Sequence, residues 1–211
     1  MVLKRNLLIL ELVVLFIGMP LVLLLPIHPG FKVGIILMAI IYAIRVSYKQ
    51  RLVKTHALYQ LGEGSHVKMV ILRLILLVIL TVGFMLLYHE ESLFIVAKKN
   101  IGMLIGISLF YSLFSVYPQE FLYRSFFYAR YNQLFNRKAV LIFCNALIFS
   151  LAHIAFKNGL VLFMTFIGGI VFSLTYFKTK SLMWTSIEHA IYGCWLFAVG
   201  MGEMLAFPMP E

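Results

Sequence analysis

Seven apolar runs divide this sequence, and they leave little room for any fold but one. They extend from Leu7 to Leu25, Val33 to Ser47, Met69 to Tyr88, Ile101 to Tyr131, Ala139 to Phe156, Gly159 to Phe177 and Leu182 to about Phe207. Inside a bilayer each backbone N–H and C=O must be satisfied within the protein, so only helices and closed barrels span. Most of these runs are far longer than the ~10 residues of a membrane strand, so they read as helices. The expectation is an all-α polytopic transmembrane helix bundle with about seven to eight spans. Only 12% of the residues are charged, where a soluble domain carries roughly 25%, so no soluble module is expected. Residues 1–211 are read as a single integral membrane domain, with generic spans in 1–100 and a polar-bearing core in 101–207. The net charge of +10 would point to nucleic acid in a soluble protein. Here the cations cluster at span ends, where they set topology and touch anionic lipid, so nucleic acid is excluded as a partner and the lipid bilayer is one.

Lys4 and Arg5 open an uncleaved first span, with Glu11 pairing locally or reaching the interface, Pro20 as a kink and Pro26 to Gly30 as a turn. Between Tyr48 and Lys68 lies a polar stretch in which His56 and His66 read as surface residues. Arg73 is expected to snorkel to the interface, and Glu90-Glu91 to sit in a solvated loop. Cys144 and Cys194 read as small packing groups, since no spacing suggests a metal site or a disulfide. The run from Ile101 is ~45 Å long as a helix against a ~30 Å hydrocarbon core, and Pro118 is its natural bend. Gly168-Gly169 allows close helix contact. With the N-terminus cytosolic, Lys4, Arg5, Arg45, Lys49, Arg51, Lys54, Lys68, Arg130, Arg137, Lys138, Lys178 and Lys180 fall on one side, and Lys32, Lys98, Lys99 and Lys157 on the other. That asymmetry places the N-terminus inside.

Among the ionisable residues of the late spans, Glu120, Arg124, His153 and His189 stand out on three separate apolar helices. Such residues are costly in a membrane and mark function by default. Glu120 and Arg124 are four apart and share a helix face. Counting from the nearest cytosolic cations, Glu120 lies ~15 Å deep, His189 ~14 Å and His153 ~22 Å. Tilt brings all three toward the middle of the core, with His153 the outlier. A carboxylate there can take a proton from water, while histidines orient the water, stabilise an oxyanion or ligate a metal. No H-E-x-x-H is present, so a zinc site has no local support. Glu120, His153 and His189 could still form a three-ligand site for a divalent metal such as zinc. Asn145 and Glu188 are candidates to support these groups. A purely structural Glu120–Arg124 pair and hydrogen-bonded bundle histidines are the plainer alternative.

Read together, these segments resemble the CAAX prenyl protease and bacteriocin-processing family of intramembrane proteases, also called the Abi or Ras-converting-enzyme type. Its motifs E-E-x-x-x-R, F-x-x-x-H and H-x-x-x-N are matched in order by Gln119 through Arg124, Phe149 through His153 and His189 through Gly193. The resemblance covers roughly Ile101 to Phe207. It implies an intramembrane endopeptidase acting on a membrane-embedded or membrane-associated peptide, in or at the cytosolic edge of what is expected to be a bacterial cytoplasmic membrane. Glu120 would be the base, Arg124 would keep it ionised, and His153 and His189 would hold water, oxyanion or metal. Two positions depart: Gln119 stands where the family's base is an acid, and Gly193 where an asparagine helps hold the oxyanion. A non-catalytic member acting as membrane adaptor or bacteriocin-immunity factor is the alternative. A small-solute transporter is disfavoured by the lack of an internal repeat.

Overall fold

The computed structural model describes residues 2–52 and 65–205; Lys54 and His56 lie outside the described residues. The described residues form eight helices. Helix α1 comprises Val2–Val13, a π-type turn Val14–Gly18 and Met19–Val22. Helix α2 is Pro29–Lys49, with proline at its first position and the His28 ring accepting from the Gly30 N–H at 3.1 Å. Helix α3 is Ser65–Tyr88, and a 3-10 turn Glu90–Ser92 leads to the short α4, Ile95–Lys99. Asn100 caps α5 by accepting from Met103 N–H. Helix α5 runs from Ile101 to Leu134 and is interrupted by π-type turns at Tyr111–Val116 and Phe121–Phe126. Helix α6 is Lys138–Leu151, α7 is Gly159–Thr179 and α8 is Leu182–Val199.

Six of these helices are long and apolar enough to cross a membrane: α1, α2, α3, α5, the segment Lys138–Phe156 and α7. The seventh expected span, α8, is a continuous helix as well, but Thr185, Ser186, Glu188 and His189 lower its hydropathy and all four are buried inside the bundle. Its polar face is turned to protein, which is where a membrane helix can carry one. Outward faces carry exposed Leu72, Leu80, Leu109 and Phe163, the complement expected when lipid is the solvent. The chain is an integral membrane protein.

Pro118 does not simply kink α5. It lacks an N–H, and the helix relaxes through a π-type turn on each side of the segment Tyr117–Glu120. Helices α6 and α7 form a tight antiparallel pair. A Cβ added at Gly169 would stand 2.9 Å from Ala146 Cα, so only glycine permits this approach. The core is aromatic: Phe16 of α1 packs edge-on against Tyr123, Phe127 and Tyr131 of α5, at 5.3–5.8 Å between centroids. Helix α8 ends at Gly200, whose φ of 106° and contact with Ser92 leave no room for a side chain.

Two expectations about isolated charges are corrected. Arg73 does not snorkel; its guanidinium turns inward and bonds Glu188 Oε1 and Thr175 Oγ1, both at 2.9 Å. Burial of Glu188 makes that inward partner worth more than the headgroup layer. Glu11 is not paired locally: it accepts from Arg130 at 2.6 and 3.0 Å and from the Tyr131 hydroxyl at 2.8 Å, tying α1 to the end of α5. Glu90 and Glu91 are exposed, and both cysteines are free thiols, as expected.

Candidate active site

The middle of α5 meets α6, α7 and α8 at one buried polar cluster. Glu120 lies in the four-residue segment between the two π-type turns, fully buried. Its Oε1 is 2.8 Å from His189 Nδ1 on α8. Its Oε2 faces Arg124 Nε at 3.3 Å. An ionised carboxylate only accepts, so Nδ1 is the donor of this pair when Glu120 is a carboxylate. The other ring nitrogen, Nε2, lies 3.0 Å from the hydroxyl of Tyr111. A carboxylate, an imidazole and a phenol thus stand in one chain of hydrogen bonds. The imidazole is also stacked on Phe172 of α7 at 4.4 Å and meets the Phe149 ring edge-on at 5.7 Å, so its plane is set from two sides.

Arg124 is equally buried and is held by more than Glu120. Its Nη1 donates to Asn145 Oδ1 on α6 at 2.7 Å, and its guanidinium lies 4.8 Å over the Phe149 ring. Asn145 in turn donates through Nδ2 to the Tyr123 carbonyl at 2.8 Å and accepts from Ser173 on α7 at 3.2 Å. It therefore joins α5, α6 and α7 and sets the guanidinium that sets Glu120. Three polar atoms at the centre carry no hydrogen bond: Glu120 Oε2, Arg124 Nε and Arg124 Nη2.

His153 is near this cluster but outside its hydrogen bonds. Helix α6 ends at Leu151, and His153 sits in the turn beyond it, with Nδ1 2.8 Å from the Phe149 carbonyl. The Phe149 ring separates it from His189, with the His153 ring 5.0 Å away. Gln119 points elsewhere: its Nε2 donates to Ser115 Oγ, one turn back, at 2.8 Å. Glu188 joins the Arg73 pair and accepts from Tyr192 at 2.8 Å, locking α8 to α3 beside the site. Gly193 lies one turn after His189, and a Cβ there would collide with the Tyr111 ring and hydroxyl.

The proposed metal ligands do not assemble. Both ring nitrogens of His189 have partners, and among the described residues no three His, Cys, Asp or Glu side chains are grouped to hold an ion. The donor set present does not fit a three-ligand metal. An apolar crevice of about 510 Å³ opens between α3, α5 and α8, with Ser112 and Cys194 on its wall; Glu120, His189 and Tyr111 do not line it.

Tyr111 is the site residue that sequence reasoning passed over. It is one tyrosine in an aromatic stretch, nine positions before Glu120, and in a regular helix at ~100° per residue that separation puts the two on opposite faces. The π-type turn beginning at Tyr111 inserts a residue and brings both toward α8.

Comparison with known proteins agrees with the motifs. Residues 101–195 match the family model described as Type II CAAX prenyl endopeptidase Rce1-like. No curated protein and no solved structure matches the chain.

Proposed function

We propose, from the premise that residues 101–195 are of the Rce1-like CAAX prenyl endopeptidase type, that this protein hydrolyses a peptide bond within the membrane using a water activated by Glu120. The observation that carries the reading is the hydrogen-bonded pair Glu120–His189, fully inside the bundle, with Arg124 on the second carboxylate oxygen. Arg124 stands as a fixed partner to the second oxygen of Glu120. His189 holds Oε1, which leaves Oε2 as the atom that takes the proton. As the water oxygen bonds to the scissile carbonyl carbon, one water proton passes to Oε2 and the carbonyl becomes an oxyanion. The proton then moves from Glu120 to the departing nitrogen as the C–N bond breaks, and the carboxylate is restored. Asn145 acts through Arg124, and Glu188 through the placement of α8. No step uses a metal.

The substrate is a peptide embedded in or attached to the membrane, entering at the cytosolic side if the N-terminus is cytosolic, in a bacterial cytoplasmic membrane. The competing reading is a non-catalytic family member, and Gln119 supports it, because an amide cannot take a proton from water. Purified protein in detergent should cleave a peptide reporter ending in a prenylated or unprenylated Cys-a-a-X tail, with the cut mapped by mass spectrometry. A wild type inert on all reporters, combined with a Gln119→Glu variant that cleaves them, would establish the non-catalytic reading instead.

A further inference from the structure

The oxyanion formed in that reaction needs a donor, and position 193, where the related family carries an amide, has no side chain to give. We propose that Tyr111 supplies it: its phenol occupies the space in front of Gly193, and its hydroxyl is the oxyanion donor of the site. This role rests on the proteolytic reading above.

Three independent observations converge on Tyr111. The first is steric. A Cβ built at Gly193 would run into Cε1, Cζ and Oη of Tyr111, so a side chain at 193 and the phenol exclude each other. Glycine at 193 is therefore the condition for Tyr111 to stand where it does.

The second is the hydrogen bond. The Tyr111 hydroxyl is 3.0 Å from His189 Nε2, on the opposite edge of the ring from Glu120. A tyrosine O–H both donates and accepts. When a negative oxygen develops nearby, the same O–H turns to it, because a hydrogen bond to a charged acceptor is roughly twice as strong as one to a neutral acceptor. The interaction thus favours the transition state over the resting site, which is what accelerates a reaction. No proton changes owner in this exchange.

The third is placement. The ring is held edge-on to Phe197 at 4.9 Å and to His189 at 6.0 Å, so the hydroxyl is fixed by packing before any substrate arrives. Ser112, the next residue along α5, and Cys194, the next after Gly193, line the apolar crevice on the outer side of these two helices.

Tyr111→Phe keeps the ring that fills the space at Gly193 and removes only the donor. It should stay folded by gel filtration and bind reporter with an unchanged KM, while kcat falls ~10²–10³-fold, the loss seen on removing one oxyanion donor. A merely structural tyrosine would not divide the effect in that way. The exchange variant is the second measurement. Tyr111→Ala with Gly193→Asn returns an amide to the vacated space and should turn over faster than Tyr111→Ala alone. An active wild type with an equally active Tyr111→Phe overturns the role of Tyr111 and leaves Glu120 untouched. A double variant no faster than Tyr111→Ala overturns the exchange of position 193 for Tyr111. A wild type that cleaves no reporter overturns the proteolytic reading and this role with it.

Discussion

Replacing Arg124 by methionine tests whether the centre of this bundle is an electrostatic unit. Arg124 and Glu120 are both fully buried, with Nε and Oε2 3.3 Å apart. The guanidinium also donates to Asn145 at 2.7 Å and lies over Phe149 at 4.8 Å. Removing one member of a buried ion pair typically costs ~3–5 kcal/mol, because an uncompensated charge stays behind. Asn145 still donates through Nδ2 to the Tyr123 carbonyl, so it stays anchored to α5. Arg124→Met should therefore destabilise by ~3–5 kcal/mol. Adding Glu120→Gln removes the stranded charge and leaves an acceptor for His189 Nδ1. The double variant should then be more stable than Arg124→Met, with a coupling of ~2–3 kcal/mol. Unfolding would be followed by far-UV circular dichroism as SDS is titrated into mild-detergent micelles. If the two substitutions add without coupling, or Arg124→Met costs under ~1 kcal/mol as an exposed pair would, the buried-pair account is wrong.

Gly169→Val should destabilise by ~1–3 kcal/mol in the same assay, because its side chain would enter the Ala146 backbone; Gly168→Ala, which meets only the Phe172 ring, should cost less. Peptide cleavage should be unaffected by EDTA or 1,10-phenanthroline, since no three donors are grouped to hold a metal among the described residues; full loss on chelation, reversed by zinc, would contradict the metal-free scheme. In a background lacking Cys144 and Cys194, an impermeant thiol reagent applied outside should label a cysteine at Lys99 and miss one at Lys49. The reverse pattern would turn the whole bundle over.

What the sequence made legible was whatever a single helix or a single motif encodes. Most span positions followed from apolar length: α2 and α3 start a few residues before their most apolar stretch, at Pro29 and Ser65, but α8 stops at Val199, short of the expected Phe207, because the left-handed Gly200 ends it. The Glu120–Arg124 pairing followed from i,i+4 spacing. His189 followed from matching depth, and the same arithmetic already set His153 apart, which is where the bundle leaves it, in a turn past the end of α6. What stayed hidden depends on several helices or on irregular ones. Arg73 looked like a snorkelling cation because its partner Glu188 is 115 positions away. Glu11 and Arg130 are separated by 119. Tyr111 was invisible to a 3.6-residue period because a π-type turn breaks that period between it and Glu120. The same irregularity bears on the Gln119–Glu120 question: in the folded α5 it is Glu120 that faces His189, while Gln119 turns back to Ser115.

The central claim is that the Glu120 carboxylate is the base, and single-turnover cleavage by Glu120→Gln against wild type tests it most directly. The amide is nearly isosteric, can still accept from His189 Nδ1 at the position of Oε1, and cannot take a proton from water. The expected result is a folded, reporter-binding protein whose cleavage step is slower by ~10²–10⁴-fold, the usual cost of losing a general base. A Glu120→Gln variant that cleaves at the wild-type rate would contradict the account and move the base elsewhere in the chain.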